Sequence, residues 1–214
     1  AGKNVLCEKS FTVNADQARA LFKLAEEKNL LITEAIWTRY MPSRKIIQDI
    51  VESGVIGEVT SLTANLSYAV TEKERIRKPE LAGGALLDVG VYPINFASMV
   101  LGENLKDVQS SAIFEGGVDI LETIIMNFEG NKMATLQSGV REISDRMGSI
   151  FGTKGYIQVQ NINNPEKITV FNQNHEETAS YFPPKQITGY EYEVRACKKA
   201  LEEGRIECPE MPHA

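Results

Sequence analysis

Cysteine and histidine are scarce in this chain of 214 residues, which contains three cysteines and two histidines. Cys7, Cys197 and Cys208 form an odd set without a C-x-x-C spacing, which argues against a disulfide framework and a structural zinc site. His175 and His213 lie far apart without neighbouring ligand residues, so each is interpreted as a surface residue. The sequence therefore predicts a protein of a reducing compartment, the cytoplasm, without a metal site.

The chain also lacks a basic surface and a long uninterrupted apolar run. Its net charge of −6 argues against nucleic acids and anionic membranes as partners. The longest apolar stretch, positions 85–102, contains Asp88 and Asn95 and is not predicted to span a membrane. A small basic cluster, "EKERIRK" at 72–78, is predicted to decorate an exposed loop.

A glycine-rich phosphate loop of the G-x-G-x-x-G type is absent from the sequence, although the first 36 residues have the pattern of a βαβ unit. "NVLCEK" and "LLITEA" are predicted to be buried strands on either side of a helix that Asn14 caps, with Gln17 at the capping-box position. Two parallel strands and one helix are too few for a doubly wound sheet. We therefore expect the chain to be part of a larger protein whose preceding strands lie outside it.

The remaining sequence predicts an α/β fold of the α+β kind. Helices are expected at 42–54 and over the apolar stretch that ends near Gly102, and strands at 58–70, 108–115, 121–129, 132–140 and 167–171. A tight turn at Gly130-Asn131 is predicted to join two of these strands, and 148–160 is predicted to be a hairpin that turns at Gly152 to Gly155. A closing helix at 189–204 is predicted to turn Tyr190, Val194, Cys197 and Leu201 inward. Strands joined by hairpins predict one large, mostly antiparallel open sheet with helices on one face. The other face is expected to pair with a second subunit.

Polar residues follow both predicted strands of the βαβ unit, where ligands gather in open α/β sheets. Glu8 and Lys9 follow the first strand, and "EAIWTRYMP" places Trp37 and Arg39 after the second. Lys9 is equally compatible with an ordinary solvent-exposed lysine, and Trp37 with a core residue. An aromatic ring and a cation in one loop also suit stacking and contact with an anion.

The third candidate is "GGALLDVGVYP" at 83–93, which places a carboxylate and a phenol inside the most apolar segment. A helix that begins at Ala85 would bring Asp88 and Tyr92 to the same face, and Pro93 would bend or restart it. Two interpretations have equal weight on these grounds. Asp88 and Tyr92 belong to a functional site, or Asp88 caps the restarted helix while Tyr92 packs in the core.

Taken together, "VLCEKSF", "EAIWTRYMP", "GGALLDVGVYPI", "GTKGYI" and "CPEMPHA" resemble the Gfo/Idh/MocA oxidoreductase family over essentially the whole chain. The resemblance is greatest to the branch that includes dimeric dihydrodiol dehydrogenase and the NADP-dependent D-xylose dehydrogenases. It implies that residues 1–36 are the C-terminal remnant of a dinucleotide-binding Rossmann domain. Residues 37–214 are then a substrate-binding and dimerisation domain that lacks a short C-terminal segment.

The resemblance also implies roles for individual residues. Lys9 matches the lysine of the family's Glu-Lys-Pro motif, near the nicotinamide and the substrate oxygen, and Glu8 precedes it. Asp88 and Tyr92 match the second motif, in which the tyrosine is the general acid/base of the dihydrodiol dehydrogenase branch. On the sequence, either Lys9 or Tyr92 delivers the proton. Trp37 matches an aromatic wall of the pocket. Arg39 lies in the same loop after a strand end, where ligands gather in open α/β sheets, and is therefore assigned to cofactor binding.

One position departs from the family pattern, because Ser10 stands where the motif has proline. The implied function is hydride transfer between NAD or NADP, with a slight preference for NADP, and a sugar, polyol or dihydrodiol. The alternative is a non-catalytic ligand-binding or dimerisation module of the same family. A cofactor-free acid/base enzyme built on Asp88 and Tyr92 is the third interpretation. The expected assembly is a homodimer through the open sheet face.

Overall fold

The computed structural model describes residues 2–213, which form two compact units. One unit contains residues 2–41 and 185–213, and the other is Pro42–Pro184. The elements, in chain order, are β1 (Val5–Glu8), α1 (Ala15–Lys28), β2 (Ile32–Ala35), α2 (Pro42–Glu52), β3 (Val59–Ser67), α3 (Glu74–Arg77), α4 (Val91–Leu101), β4 (Leu105–Glu115), β5 (Val118–Phe128), β6 (Lys132–Gly139), β7 (Gly148–Gly152), β8 (Gly155–Gln160), β9 (Lys167–Asn172), β10 (Glu177–Tyr181) and α5 (Glu191–Glu202). Short 3-10 turns cover Trp37–Arg39 and Pro79–Leu81, and a π-helical turn covers Leu86–Gly90.

The first unit is the predicted βαβ arrangement, but the prediction that its first strand is buried is wrong, because no residue of β1 is buried. β1 and β2 pair in parallel, and α1 connects them. The Oδ1 atom of Asn14 accepts a hydrogen bond from the backbone of Gln17 at 3.0 Å. The Gln17 side chain in turn accepts from the backbone of Val13 at 3.2 Å, so the predicted cap of α1 is confirmed. α1 ends at Asn29, which takes the left-handed conformation that favours asparagine and glycine.

The final helix also belongs to the first unit, but the predicted inward face of α5 is wrong. Val194 is 58% exposed and Leu201 is 44% exposed, whereas Glu193 and Ala200 are buried. The helix packs through Ala196, Cys197 and Ala200 into a small apolar cluster, whose other members include Leu31, Tyr40, Cys208 and Met211.

The second unit contains an eight-stranded sheet in the order β10-β9-β8-β7-β3-β6-β5-β4. The pairing of β3 with β6 is parallel, and the other neighbours are antiparallel. The β5–β6 hairpin turns at Gly130 and Asn131, both at positive φ, as the sequence predicts. The fold-class prediction is therefore confirmed. The last strand, β10, was missed because "ETASY" has no clear alternation of apolar residues.

One face of this sheet forms the core, because alternate residues of a strand point to opposite faces. On β5 every second side chain from Val118 to Phe128 is buried. The same face of the central strands β3, β7 and β8 contributes residues that solvent does not reach, among them Leu66, Ile150 and Ile157. Residues of α2 and α4 belong to the same core cluster.

The opposite face of the sheet carries a mixture of polar and apolar side chains. Thr63, Asn65 and Gln137 alternate there with Ile125 and with other side chains that are apolar or aromatic. Phe151, Tyr156 and Phe171 form a ladder across three strands, with the rings of Tyr156 and Phe171 stacked at 4.7 Å. The face is therefore less uniformly apolar than a buried core layer.

The helical segment that crosses the covered face is the apolar stretch of the sequence. By length and composition Pro79–Leu101 could cross a membrane, a test that core helices of soluble proteins also pass. In this structure Phe96, Ala97 and Leu101 are buried, and α4 packs against β3 and β6. The burial of these residues explains the hydropathy of the stretch without a membrane.

One further expectation differs from the structure. The basic cluster at 72–78 contains the one-turn helix α3, in which Ile76 is buried, so it is more than an exposed loop. The compact units divide between Met41 and Pro42, and residues 185–213 belong with the N-terminal unit, whereas the predicted domain boundary at 36/37 stays a prediction. The assignment of residues 1–36 to a dinucleotide-binding domain stays a prediction.

A buried carboxyl interrupts the apolar core of the sheet. Glu122 on β5 is 5% exposed, and Ser138 on β6 donates a hydrogen bond to its Oε1 atom at 2.6 Å. Burial raises the pKa of Glu122 from 4.5 to about 7, with a further contribution from the negative charge of Asp119. The carboxyl is therefore largely protonated below neutral pH, which reduces the cost of its burial.

We expect Ile150→Ala to lower the free energy of unfolding by about 2–5 kcal/mol, because it leaves a cavity at the centre of a close-packed sheet. Ile150 is fully buried, whereas Ile143 is 83% exposed. The matched variant Ile143→Ala should change stability by less than about 0.5 kcal/mol. Urea denaturation of both variants measures the difference, and equal effects would contradict the assignment of the core.

We expect the stability of the protein to fall as the pH rises through the interval between the two pKa values of Glu122. The folded state binds the proton more tightly than the unfolded state, so the full stability is present below 4.5 and is lost by about pH 7. The loss amounts to about 3 kcal/mol. Glu122→Gln should remove this share of the pH dependence in denaturation curves. Glu193, whose pKa is also raised to about 7, should still make its own contribution to the pH dependence of stability in this variant. An unchanged pH profile would contradict the prediction.

Candidate active site

The first group of candidate residues lies where β1 and β2 end. The two strands run in parallel with Glu8 opposite Ala35, so the residues that follow them emerge at one edge of the pair. Lys9 comes directly after β1, and Trp37 and Arg39 form the 3-10 turn after β2. The structure therefore brings these predicted residues to the same strand edge, where open α/β sheets bind ligands.

The segment that holds Lys9 is anchored by a residue that the sequence reasoning missed. Glu34 on β2 accepts a hydrogen bond from the backbone of Phe11 at 3.0 Å. Burial raises the pKa of Glu34, and the bond from Phe11 and the charges of Arg39 and Lys9 oppose this increase. Glu34 is therefore close enough to both cations to interact with them. The sequence feature that could have indicated Glu34 is an acidic residue inside the otherwise apolar strand "LLITEA".

The backbone around Lys9 has further specific features. Glu8 is exposed and Lys9 is partly buried. The backbone N–H of Lys9 donates to the Oε2 atom of Glu8 at 3.2 Å. The peptide bond between Lys9 and Ser10 is cis.

Trp37 is held by the C-terminal part of the same unit. Its ring stacks on Tyr190 with centroids 4.8 Å apart and an interplanar angle of 23°. Gly189 lies against the ring at a φ of +96°, and a Cβ atom there would be 2.8 Å from Cζ3 of Trp37. Glycine is thus required for this close approach. The aromatic wall is built by two chain segments far apart in sequence.

Arg39 is 6% exposed, so its guanidinium lies inside the first unit. Its Nη1 atom donates to the carbonyl oxygen of Glu210 at 3.3 Å. This position gives Arg39 a role in holding the C-terminal segment in addition to its effect on Glu34. Its predicted contact with a cofactor stays a prediction.

Glu193 on α5 is a second acid that the sequence reasoning did not select. It is 4% exposed, and its Oε2 atom has no hydrogen-bond partner among residues 2–213. Burial raises its pKa to about 7, with an added contribution from the charge of Glu8. The acid lies in the first turn of the helix, a position that favours carboxylates in general and so gave no specific signal.

The second group of candidate residues lies in the second unit, on the helical segment that follows Gly83 and Gly84. The chain forms the π-helical turn Leu86–Gly90, and α4 continues from Val91. Pro93 has no N–H to donate to the carbonyl of Val89, so a regular α-helical turn would lack a bond here. A widened turn accommodates the proline, and such turns frequently occur at functional sites. Asp88 lies inside the π-helical turn and Tyr92 in the first turn of α4.

Asp88 forms an ion pair with Arg75 of the basic cluster. The Nη1 atom of Arg75 is 2.7 Å from Oδ1 of Asp88. The Asp88 side chain is 12% exposed and that of Arg75 is 57% exposed. The expectation of a merely decorative cluster is therefore corrected, since one of its cations binds a candidate catalytic carboxylate. The sequence separation of 13 residues concealed this pairing.

The two glycines before the π-helical turn allow the close backbone approach that the sequence predicts. A Cβ atom on Gly83 would lie 2.5 Å from the carbonyl oxygen of Ile76. Gly84 has a φ of +113°, and a Cβ atom there would collide with Oδ1 of Asp119. The backbone N–H of Leu86 donates to Oδ2 of Asp119 at 2.6 Å. The turn therefore lies directly on β5.

The two groups belong to different compact units. Lys9, Trp37 and Arg39 share a strand edge in the first unit, and Asp88 and Tyr92 share a helical segment in the second. The first group supplies an ammonium group, a guanidinium and an aromatic face, and the second group supplies a carboxylate and a phenol. These are groups that bind a polar substrate and transfer a proton at its oxygen.

Comparison with known proteins identifies relatives of this chain. Residues 45–158 match the GFO/IDH/MocA C-terminal domain. Trans-1,2-dihydrobenzene-1,2-diol dehydrogenase from Xenopus laevis is 34% identical over an alignment of 220 positions that covers 98% of this chain and 66% of that protein. D-xylose 1-dehydrogenase (NADP(+)) from Hypocrea jecorina is 34% identical over an alignment of 245 positions that covers 99% of this chain and 63% of that protein. The chain thus spans less than two thirds of the length of these relatives.

Solved structures show the same fold. A 3-ketoreductase from Actinomadura kijaniata in complex with NADP and TDP-benzene is similar with a TM-score of 0.87 and 26% identity, over 95% of this chain and 64% of that one. An aldose-aldose oxidoreductase from Caulobacter crescentus has a TM-score of 0.84 at 19% identity, over 95% of this chain and 63% of that one, which shows the fold alone. The predicted resemblance is confirmed, and the chain belongs to the Gfo/Idh/MocA family.

Proposed function

We propose that this chain is the larger part of an oxidoreductase that transfers a hydride between a nicotinamide cofactor and a CH–OH or C=O group. The substrate is a sugar, a polyol or a dihydrodiol. The observation that carries this proposal is the presence of Lys9 at a parallel strand end and of Asp88 and Tyr92 on one helical segment. The dihydrodiol and xylose dehydrogenases among its relatives support the same chemistry.

NADP is the preferred cofactor in this proposal, with NAD as the alternative. One relative is named for NADP, and the similar ketoreductase was solved with it. The strand edge beside Lys9 and the flat face of Trp37 suit the binding of a nicotinamide ring. We assign residues 1–36 to the end of the dinucleotide-binding domain. The exposure of Val5, Leu21 and Leu24, at 41%, 38% and 50%, is consistent with a surface that further elements of such a domain cover.

The chain's own residues would handle the proton and the orientation of the substrate. The cofactor, when bound, supplies or accepts the hydride. The phenol of Tyr92 would donate a proton to the carbonyl oxygen of the substrate as the hydride arrives, which is the role proposed for this residue. Lys9 supplies a positive charge that favours negative charge on that oxygen. Asp88 accepts a hydrogen bond from a second substrate hydroxyl and stays oriented through Arg75.

A non-catalytic ligand-binding module is the second candidate function. Ser10 occupies the position of the motif proline, so the backbone after Lys9 lacks the restriction that proline imposes. A protein of this kind would bind cofactor or sugar without turnover. The cytoplasm remains the proposed location for either function.

We further propose a homodimer through the open face of the eight-stranded sheet. This face presents Ile125 and the ladder formed by Phe151, Tyr156 and Phe171 amid hydroxyl and amide side chains. Interfaces between soluble subunits commonly combine aromatic residues with polar groups.

We expect the full-length protein to oxidise aldoses or dihydrodiols with reduction of NADP, and Tyr92→Phe and Lys9→Met each to lower kcat by about 10²–10⁴-fold. Absorbance of the reduced nicotinamide measures turnover with either cofactor. The matched controls are Tyr181→Phe on β10 and Lys45→Met on α2, because both side chains are exposed. These controls should retain wild-type rates.

The outcomes of this assay separate the two candidate functions. A collapse in both variants, with intact controls, supports the dehydrogenase and identifies the residues that act on the proton. Cofactor binding without turnover on any substrate indicates the non-catalytic module. A protein that binds neither a nicotinamide cofactor nor a sugar contradicts both.

We expect sedimentation equilibrium to give twice the protomer mass, and Ile125→Lys to give the protomer mass, because a charge would be buried in the interface. Val55→Lys, in the exposed connection between α2 and β3, is the matched control and should leave the dimer intact. A wild-type protein that remains monomeric at micromolar concentration would contradict the dimer.

A further inference from the structure

We infer that Asp119 and Glu122, three residues apart on β5, are the positioning residues that hold the π-helical turn and thereby direct Asp88 and Tyr92. This inference rests on the proposed function for its effect on turnover. Its structural part, the support of the turn by two carboxyl groups, can be tested without any activity.

Asp119 holds the beginning of the turn. Its Oδ2 atom accepts a hydrogen bond of 2.6 Å from the backbone N–H of Leu86, the first residue of the π-helical turn. The first N–H groups of a helix have no partner within the helix, and Ala85 provides no side-chain cap. The strand therefore supplies the cap that the local sequence lacks. Gly84 allows this contact, because any Cβ atom there would collide with the same carboxylate.

Glu122 supports the end of the turn. A Cβ atom on Gly90 would collide with Oε1 of Glu122 and would lie 2.9 Å from Oγ of Ser138. The backbone of the turn thus rests on a carboxyl group that Ser138 holds by a hydrogen bond of 2.6 Å. Burial and the charge of Asp119 raise the pKa of Glu122 to about 7, so near neutral pH this acid carries less than a full negative charge.

Asp88 lies between these two points of support. Its backbone is fixed on one side through Leu86 and on the other through Gly90, and Arg75 binds its carboxylate from α3. Tyr92 follows Gly90 by two residues, at the start of α4. A loosened turn would displace both side chains, and a displacement of about 1 Å at a reacting group can cost about 10²-fold in rate.

The test uses the full-length protein with NADP and the substrate of highest wild-type turnover. We expect Asp119→Ala and Glu122→Ala to lower kcat by about 10²-fold. The dissociation constant for NADPH, measured by nicotinamide fluorescence, should change by less than about 2-fold, because these residues act on the turn. Asp119→Asn and Glu122→Gln keep an oxygen acceptor in place and should recover most of the lost rate.

Hydrogen exchange gives a readout that is independent of turnover. The amides of residues 86–92 should exchange faster in the two alanine variants than in the wild type, because their backbone has lost its anchor. The matched control is Val170→Ala on β9, which removes buried volume from a distant strand of the same sheet. It should lower the melting temperature without changing kcat or the exchange of residues 86–92.

Unchanged exchange of residues 86–92 in Asp119→Ala and Glu122→Ala would overturn the inference, whether or not the protein turns over a substrate. Equal loss of kcat in Val170→Ala would also overturn it, since the effect would then be general destabilisation. A wild-type protein without turnover refutes the proposed dehydrogenase, and the exchange measurement then decides the positioning role alone.

Discussion

The parallel pairing of β3 with β6 is the constraint on which the second unit depends. Two parallel neighbours cannot be joined by a hairpin, so the chain between them must return across the sheet. α4 makes that return over the covered face and packs against the same two strands. The beginning of the segment, with Asp88 and Tyr92, consequently lies over the ends of the strands where Ser138 and Glu122 are found. The topology thus delivers a carboxylate and a phenol to one end of the sheet, and the apolar residues of α4 hold them there.

The contact between helix and sheet at this end is unusual because polar groups make it. Gly84 and Gly90 bring the backbone onto Asp119 and Glu122, where a side chain at either glycine would collide. Burial of a carboxyl group is costly unless it is hydrogen bonded or protonated. Asp119 accepts a hydrogen bond from a helix N–H, and Glu122 accepts one from Ser138. The pKa of Glu122 is also raised, so that protonation reduces the cost of its burial.

The candidate residues of the first unit are positioned at a strand edge. Lys9 follows β1 and the Trp37–Arg39 turn follows β2, so parallel pairing brings these residues to one strand edge. Their orientation depends on residues from distant parts of the sequence. Glu34 binds the segment after Lys9, and Tyr190 stacks on Trp37. The secondary structure therefore determines the strand edge at which the candidate residues lie. Their buried or stacked partners determine the orientation of their side chains.

The sequence by itself determined the class of fold, the strands with clear alternation, the cap at Asn14, the turn at Gly130 and the candidate residues on "EKS" and "GGALLDVGVYP". These are local properties, carried by periodicity, capping and glycine or proline chemistry, or by motifs that the family resemblance supplies. Only the tertiary structure decided that Arg75 binds Asp88, that Asp119 and Glu122 lie under the turn, and that α5 buries Glu193 while Val194 is exposed. These outcomes depend on which surfaces meet across the sheet or between distant segments. The spacing of residues in a single sequence does not reveal such contacts, because contacts between residues far apart in the chain depend on the packing of whole elements.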